Sequence, residues 1–439
     1  MYNYRFQISG YHAIAKADIA IDGITVLTGE NGSGKSTIAR WLYYLTTTAL
    51  HFENFLYSDY YRFIQRLDRD LYILGGEYHM PGQIIIRRKI QENEDIESAE
   101  NACSLITGRI NRVSESLRYA VQLGEAAQSR IKRDLKRFSS GDQENEDENL
   151  NVQIESTFTR LRDNVQRYLE NMENMLEKRS IGTFKTFISE QFEDTDVFPQ
   201  NINLQEDGVN IIDNSMVRRL YGLDNAIYND TPMSLNSSDA GFMNPVWKRF
   251  QSGLVTKVGE MPDKGRLIKR MLQRIIGGDI ALPEDGYSID DMIYIRQEDH
   301  LVLPVNKIST GMKTFSYIYQ LLVNGYLSDR SLLLIDEPEA HLHPQWIFKL
   351  AEILVLLNKL IGVKVVIASH NPDMVAAIRT ISVSQGISDN VHFYLAERSQ
   401  LDKFKYVYRD LGLDIQPIFR TFNIAIERMY QYEGNGDAQ

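Results

Sequence analysis

A nine-residue stretch, "GENGSGKST" at residues 29–37, most constrains what this chain can fold into. It follows the apolar, β-branched run "ITVLT" and precedes "KSTIARWLYYLTT", whose apolar residues have helical spacing. Strand, glycine-rich loop and helix in this order are the context in which such a pattern forms a phosphate-binding loop. The sequence therefore predicts an α/β nucleotide-binding fold built around this loop.

The chemistry of the loop is set by its glycines and by the residues that open the helix. Glycines permit backbone conformations that aim N–H groups at phosphate oxygens. Lys35 is predicted to place its charge between the β- and γ-phosphates, and Ser36 to offer its hydroxyl to Mg²⁺. The helix adds the positive end of its dipole. The predicted nucleotide-binding residues are Gly29, Glu30, Asn31, Gly32, Ser33, Gly34, Lys35, Ser36 and Thr37.

A second element, "SLLLIDEPEAHLHP", combines a buried strand with acidic residues. Leu332–Ile335 are apolar, and Asp336 follows at the carboxyl end, where open α/β sheets place ligands. We expect Asp336 to hold Mg²⁺ and Glu337 to orient and deprotonate an attacking water. The alternative, a strand that ends in a solvated acidic turn, is disfavoured by the glycine loop in the same chain.

Two further elements have weaker signals of their own. "NKISTGMKTF" places Ser309 and Gly311 at the start of a helix, which can bind phosphate or simply carry an N-cap at Ser309 or Thr310. "VVIASHNPDM" ends a strand at Ser369, so that His370 emerges at its edge. A lone histidine is more often structural, but its place one strand after the acidic pair favours a γ-phosphate sensor.

The order and spacing of these four elements resemble the head of an ABC-type ATPase. The resemblance implies that "ISTGMK" is the signature, "LLLIDE" the Walker B strand, "PEAHLH" the D-loop and His370 the switch histidine. The motif residues are, in the signature, Ser309, Thr310, Gly311 and Lys313, and in the D-loop, Ala340, His341, Leu342 and His343. His343 departs from the family, in which an aspartate is usual. The resemblance further implies ATP and Mg²⁺ as ligands and a head-to-tail dimer, or a higher oligomer, in which each signature closes on the other chain's ATP.

The segment between the loop and the signature has a different pattern. Apolar or small residues recur at alternating steps of three and four from Ile106 to Ile131 and from Ile154 to Met175, on either side of the polar stretch 139–151. Two heptad helices with a solvated connection predict an antiparallel coiled-coil hairpin whose first arm is roughly 50 Å long. The alternative is two ordinary helices packed on a globular body.

These patterns divide the chain into four segments. Residues 1–92 are expected to form the N-terminal part of the head and 93–182 the hairpin. Residues 183–290 are a return segment with a small α/β region, and 291–439 hold the signature, Walker B and the switch histidine. The predicted fold is thus an α/β head with a mixed sheet and flanking helices, interrupted by a coiled-coil hairpin. Two more strands are expected within residues 71–90.

The inserted hairpin resembles the branch that contains SMC, RecF and OLD proteins. "IDEPEAHLHP" and the opening "FQISGYHAI" are similar to OLD-like ATPases. The TOPRIM nuclease domain of OLD nucleases is not seen after His370, and the expected coil tip has no cysteine hook. The chain therefore resembles stand-alone OLD-like ATPases, as in the PARIS and Septu antiphage systems, which act with a separately encoded nuclease.

This resemblance implies three kinds of partner: a second copy, a nuclease or other effector, and a DNA or phage component. One alternative function is a DNA clamp or repair ATPase like RecF or SMC. Another is a transporter ATPase, which the hairpin and "EPEAHLHP" disfavour.

Composition and charge exclude several classes of protein. A net charge of −11 argues against coating nucleic acid by bulk electrostatics, although a local basic groove stays open. The single cysteine, Cys103, excludes a disulfide framework and a cysteine-rich zinc site. No signal peptide is recognised in "MYNYRFQISG", and the longest apolar stretch, 350–368, is interrupted by charges. A cytoplasmic chain without a membrane partner is expected.

Three residues are secondary candidates. Tyr11 lies 24 residues before Lys35 and is a candidate for stacking on adenine, with a core tyrosine as the alternative. Gln65 and Gln83 are both candidates for the water-binding glutamine of the family, and the sequence does not choose between them.

Overall fold

The chain divides into an α/β unit and a helical unit that is inserted into it. The computed structural model describes residues 2–76, 96–136, 138, 149–192, 197–213, 215–229, 245–283, 286 and 288–420. The α/β unit combines residues 1–50 with 184–439, and the helical unit spans 51–183. The glycine loop and all the other predicted motifs of the head belong to the first unit.

A ten-stranded mixed sheet is the frame of the α/β unit. Its spatial order is β5-β4-β1-β2-β13-β12-β3-β11-β10-β6. The strands are β1 (Tyr4–Tyr11), β2 (Ile14–Ile21), β3 (Ile24–Thr28), β4 (Asn201–Glu206), β5 (Val209–Asn210), β6 (Asn225–Asn229), β10 (Ser331–Asp336), β11 (Lys364–Ala368), β12 (Val391–Arg398) and β13 (Tyr406–Asp410). The mixed sheet of the sequence prediction is confirmed.

Pairing changes along the sheet from antiparallel to parallel. β4, β1 and β2 pair antiparallel, whereas β12, β3, β11, β10 and β6 run parallel. Every residue of β3, β10 and β11 is buried. Parallel strands covered on both faces require such continuous apolar runs, which explains "ITVLT" and "LLLI".

Helices cover the parallel half of the sheet. They are α1 (Lys35–Leu50), α7 (Pro245–Val255), α8 (Gly265–Ile276), α9 (Thr310–Val323), α10 (Pro344–Leu356) and α11 (Pro372–Gln385). A further helix, α6 (Ile181–Gln191), precedes β4 in the chain. Phe315 of α9, Leu350 of α10 and Ile378 of α11 belong with Ile335 and Ile367 of the sheet to one buried apolar cluster. A second, antiparallel sheet consists of β7 (Gly278–Ala281), β8 (Ile293–Arg296) and β9 (Val302–Pro304).

The helical unit contains α2 (Phe52–Gly76), α3 (Ile96–Val121), α4 (Glu125–Leu135) and α5 (Leu150–Lys178). α3 and α5 run antiparallel. Arg162 donates to Asn111 over 2.8 Å, and Arg118 and Glu155 form an ion pair nearer the end of α3. Most predicted repeat residues near the centre of both helices are buried, including Ile110 and Val165, whereas Leu161 and Tyr168 of α5 are half-buried. The two predicted arms are therefore present as packed helices.

The unit differs from a two-helix coiled coil because α2 packs against both arms. Phe63 of α2 stacks on Tyr168 of α5 with ring centroids 4.5 Å apart, and Asp68 of α2 pairs with Arg109 of α3 at 2.8 Å. The first arm also ends early, because Gly124 at φ 113° interrupts it before α4. In a two-helix coiled coil each helix buries two positions in every seven residues. When a third helix packs against the pair, each helix must bury a wider apolar face.

The sequence predicted two strands within residues 71–90. For residues 71–76 this prediction is wrong, because these residues continue α2. Leu67, Leu71 and Leu74 are buried at helical spacing, and this periodicity decides the structure. Residues 77–90 and the predicted tip at 139–148 lie outside the described residues. No described helix is long and apolar enough to cross a membrane.

Candidate functional site

Three neighbouring parallel strands bring the predicted motifs to one edge of the sheet. β11 lies between β3 and β10, and Ala368 at its end is in register with Leu27 of β3 and Asp336 of β10. The carboxyl ends of parallel strands share an edge. The glycine loop, the acidic pair and His370 therefore meet there, although they are far apart in the sequence.

Two glycines of the loop leave no room for a side chain. Gly29 has φ 148° and Gly34 φ 97°. A Cβ atom on Gly29 would lie 2.7 Å from the Cβ of Ala396, and one on Gly34 would lie 2.7 Å from the Cγ1 of Ile14. Gly32, at φ 78°, has space around it, so only its backbone conformation requires glycine. The path of the loop thus depends on close packing as well as on φ.

Lys35 is buried at the start of α1 and bends over the loop. Its Nζ donates to the carbonyl oxygens of Gly29 and Glu30, each over 2.9 Å. Burial lowers the pKa of Lys35, and the carboxylates of Asp336, Glu337 and Glu339 oppose that shift. The cation therefore lies within the field of the acidic strand end. In the described structure the buried hydroxyl of Ser33 has no hydrogen-bond partner.

The loop is held from its other side by the β12–β13 hairpin. Glu30 accepts hydrogen bonds from Arg398 at 3.0 Å and from the Tyr406 hydroxyl at 3.1 Å. The hydrogen bond from Arg398 lowers the pKa of Glu30. Tyr408 donates to the carbonyl oxygen of Ser33 over 3.3 Å. Sequence reasoning missed these three residues, since nothing in their local pattern indicates a contact with the loop.

The acidic pair divides between a buried and an accessible carboxylate. Asp336 is buried at the end of β10 and accepts from the Tyr228 hydroxyl at 3.2 Å. Glu337 adopts φ 48°, an uncommon conformation for a residue with a side chain, while its N–H donates to Ala368. Its half-exposed carboxylate lies 3.4 Å from Nδ1 of His370. Local backbone strain thus aims Glu337 at the histidine.

Glu339 is a site residue that sequence reasoning missed. Its side chain is 4% exposed, and its Oε1 accepts from the Ser369 hydroxyl at 2.7 Å and from the His370 N–H at 3.2 Å. Its Oε2 is buried without a partner in the described structure, and burial raises the pKa of the carboxyl. Glu339 therefore fixes the turn that carries His370. Its place in "DEPEAH", two residues after Glu337, was the available signal.

The predicted signature residues begin α9. Ser309 is the N-cap, and its Oγ accepts from the N–H of Met312 at 3.4 Å. A Cβ on Gly311 would lie 3.0 Å from Leu342 and 3.2 Å from the ring of Trp346. Thr310 is the first helical residue, and burial lowers the pKa of Lys313. The first turn of α9 is thus packed against the predicted D-loop of the same chain.

The predicted D-loop forms a tight turn between β10 and α10. The N–H of Ala340 donates to the carbonyl of Glu337 over 2.9 Å, and His341 has φ 64°. His343 is the N-cap of α10, and its Nδ1 accepts from the N–H of Gln345 at 3.4 Å. Histidine can thus occupy this position because it caps the following helix.

The secondary candidates fall in different places. Tyr11, at the end of β1, stacks on His12 with centroids 4.1 Å apart and meets the edge of Trp41 from α1. Gln65 is exposed on α2 of the helical unit. Gln83 lies outside the described residues.

Residues at this edge fit Mg²⁺ only together with a phosphate ligand. Among the residues described, no group of three or more His, Cys, Asp or Glu side chains could hold a metal ion. Mg²⁺ is usually bound through one or two carboxylates, waters and the oxygens of substrate phosphates. Asp336 at the end of β10 and Ser36 in the first turn of α1 match such a shared site.

The match to a protein-family model agrees with a nucleotide site. A family model described as an AAA ATPase domain, AAA_15, matches residues 1–375. No curated protein matches the chain. Three similar solved structures are an Smc head bound to the C-winged helix domain of ScpA, the SMC head domain from Thermotoga maritima and MJ1267, an ATP-binding cassette of an ABC transporter in its ADP conformation.

These structures are distant in sequence. Identities are 12%, 9% and 11%, and TM-scores 0.38, 0.37 and 0.36, in the same order. The matches cover 94% of this chain in each case and 98%, 99% and 94% of the other chains.

Two substitutions of Glu339 separate its hydrogen bonds from its charge. Glu339→Ala should lower the free energy of unfolding by about 1–3 kcal/mol, because Ser369 and His370 lose a buried acceptor. Glu339→Gln keeps an acceptor and removes the ionisable group. Because burial raises the pKa of Glu339, the parent loses stability as the pH rises through that pKa. The stability of Glu339→Gln relative to the parent should therefore be higher at pH 8 than at pH 4.

Melting temperatures of the three proteins at both pH values measure these effects. Glu190→Gln, an exposed site on α6, is the control and should show no pH-dependent difference. Equal stability of Glu339→Ala and the parent would contradict the assigned hydrogen bonds.

Proposed function

The chain belongs to the AAA_15 family of AAA ATPase domains and hydrolyses ATP, and we propose that it does so at a site shared by two copies arranged head to tail. The observation that carries this proposal is the division of the predicted phosphate ligands. The glycine loop, Asp336, Glu337 and His370 share one sheet edge, whereas Ser309 caps a helix that packs against Leu342 and Trp346. A second copy would supply Ser309 to the ATP held by the first.

Within one half-site the residues divide the work on the phosphates. Backbone N–H groups of the loop and Lys35 bind the β- and γ-phosphates. Ser36 and Asp336 would hold Mg²⁺, which supplies charge neutralisation on the phosphate oxygens. Glu337 orients the attacking water and accepts its proton. His370, 3.4 Å from Glu337, donates to the γ-phosphate, and Glu339 positions His370. Tyr11 offers its ring to adenine.

The biological role proposed is that of a stand-alone OLD-like ATPase. ATP would clamp two heads, and hydrolysis would release or activate a separately encoded effector, such as a nuclease in antiphage defence. Support comes from "IDEPEAHLHP", from "FQISGYHAI" and from the helical unit at residues 51–183 between the loop and the signature.

A DNA clamp or repair ATPase is the second candidate, and the surface of α8 favours it. Arg266, Arg270 and Arg274 follow at four-residue steps and share one helix face. Arg266 is paired with Asp263 at 2.9 Å, whereas Arg270 and Arg274 are exposed. In a chain of net charge −11, such a row offers the phosphate backbone a local basic surface.

Glu337→Gln tests the catalytic role. Turnover should fall roughly 10²–10⁴-fold, the range for a positioned general base, while ATP still binds because the loop and Lys35 are untouched. Steady-state phosphate release and equilibrium binding of a fluorescent ATP analogue measure the two quantities. Glu190→Gln is the matched control. Normal turnover of the Glu337→Gln protein would remove Glu337 from the mechanism.

Ser309→Arg tests the shared site. The arginine fills the space where the other chain's γ-phosphate must approach, so ATP should no longer drive dimerisation, while each chain still binds nucleotide. Sedimentation velocity with and without ATP measures the dimer. Ser309→Ala removes the hydroxyl, and with it the N-cap at a cost of about 1 kcal/mol in stability, but adds no bulk. It therefore separates the loss of the hydroxyl from the steric effect of the arginine. Ser189→Arg on α6 controls for charge. An ATP-dependent dimer of Ser309→Arg would refute the shared site.

DNA stimulation of turnover separates the two candidate functions. If the clamp function is correct, duplex DNA raises ATP turnover, and combining Arg270→Glu with Arg274→Glu abolishes the rise without changing basal turnover. Lys257→Glu combined with Arg330→Glu makes the same change in net charge at other positions. This control variant should retain the stimulation of turnover by DNA. Turnover that is indifferent to DNA in the parent chain would exclude the clamp and favour the effector subunit.

A further inference from the structure

The turn between β12 and β13 holds two apolar side chains in solvent. Leu401 is 99% and Phe404 89% exposed, more than any other large apolar residue of the described chain. The turn is ordered by its own hydrogen bonds: the Ser399 N–H donates to the Lys405 carbonyl over 2.8 Å, and the Phe404 N–H donates to Asp402 over 2.9 Å. We call residues 399–405 the tip. Two such side chains on one ordered turn, unlike a single exposed apolar residue, make the tip a candidate interaction surface.

The tip is tied to the nucleotide loop. Arg398 and Tyr406, the residues that flank it, both bind the carboxylate of Glu30, at 3.0 and 3.1 Å. The ring of Tyr406 also lies under the Arg398 guanidinium, 5.8 Å from its centroid. Both ends of the tip are therefore fixed to the glycine loop.

A cavity of about 680 Å³ opens beside the predicted signature. Ser309 lies on its wall, and its apolar lining consists of Ile276, Tyr294, Leu303, Ile308 and Met312. Within this lining Tyr294 is buried, and its hydroxyl donates to the carbonyl of Ile276 over 2.9 Å. The rim carries Arg296, Glu298 and Lys307. We call this space the signature cavity.

We propose that, in the ATP-bound pair, Leu401 and Phe404 of one chain dock in the signature cavity of the other. This inference rests on the proposed head-to-tail arrangement, which places the glycine loop of one chain against Ser309 of the other. The tip is bonded to that loop and the cavity borders that serine, so both enter the same interface. A twofold axis forms the contact twice.

The chemistry of the two surfaces is complementary. An aromatic and an aliphatic anchor entering an apolar pocket with a polar rim is the arrangement that dominates binding energy at protein interfaces. Asp402 on the tip can meet Lys307 on the rim, and Lys403 can meet Glu298, whereas Arg296 is already paired with Asp299 at 2.6 Å. Because Arg398 also donates a hydrogen bond to Glu30, docking of the tip stabilises the position of the loop that binds ATP.

Dimerisation of the slow Glu337→Gln chain is the first test. Combining Leu401→Ser with Phe404→Ser in that background should raise the ATP-dependent dimer dissociation constant roughly 30-fold, the loss expected for an interface anchor. Binding of an ATP analogue to the isolated chain should change less than about two-fold. Val383→Ser on α11, 51% exposed, is the matched control. Sedimentation velocity over a concentration series gives the constants.

The outcomes distinguish the two proposals. If the Glu337→Gln parent forms no dimer with ATP, the head-to-tail function is wrong and the docking falls with it. If the parent dimerises and the tip variant dimerises equally well, the docking is overturned while the shared site stands.

Site-directed cross-linking tests the geometry itself. The sole cysteine, Cys103, is buried in the helical unit and can be replaced by serine to give a cysteine-free background. One chain then carries Phe404→Cys and a differently tagged chain Leu303→Cys. A short bis-maleimide should join them only when ATP is present. Val383→Cys in place of Phe404→Cys should give no product. An ATP-dependent dimer without the Phe404–Leu303 product would overturn the proposal.

Discussion

The structure depends on the parallel pairing of β3, β11 and β10. Their order places the carboxyl ends of three buried strands side by side, and each strand delivers one part of the site: the glycine loop, Ser369 with His370, and the acidic pair. Helices on both faces exclude water from the strands. The acidic residues and His370 follow at the carboxyl ends of these strands, so a largely apolar frame presents a concentrated set of charged groups at one edge.

That edge is held together by groups that do not themselves face a nucleotide. Glu339 fixes the His370 turn from below, Arg398 and Tyr406 hold Glu30 from the side, and Ala396 closes the space behind Gly29. A buried carboxylate and a strained Glu337 are costly, and packing of the surrounding strands over-determines both. The hydrogen bonds of Arg398 and Tyr406 to Glu30 also link the glycine loop to the β12–β13 tip. Binding at the proposed interface and binding of phosphate therefore involve the same contacts.

Sequence patterns predicted the parts of the fold that are local. The glycine loop, the Asp336 strand end and the helix start at Ser309 each lie within a short stretch whose spacing determines its conformation. The helical unit was predicted less well. The heptad repeats predicted two packed helices, but α2 packs against both as a third helix. The spacing of apolar residues in a repeat does not show how many helices pack against it.

By itself the sequence determined that a phosphate loop, an acidic strand end and a capped helix are present, because glycine φ, apolar runs and cap residues act over a few positions. Only the tertiary structure decided which of them meet. Sheet order brings His370 to Glu337, whereas the helix start at Gly311 packs on Leu342. The hydrogen bond between Arg398 and Glu30 joins residues at opposite ends of the chain. Such contacts depend on strand pairing and burial over long sequence separations, for which no local pattern carries a signal.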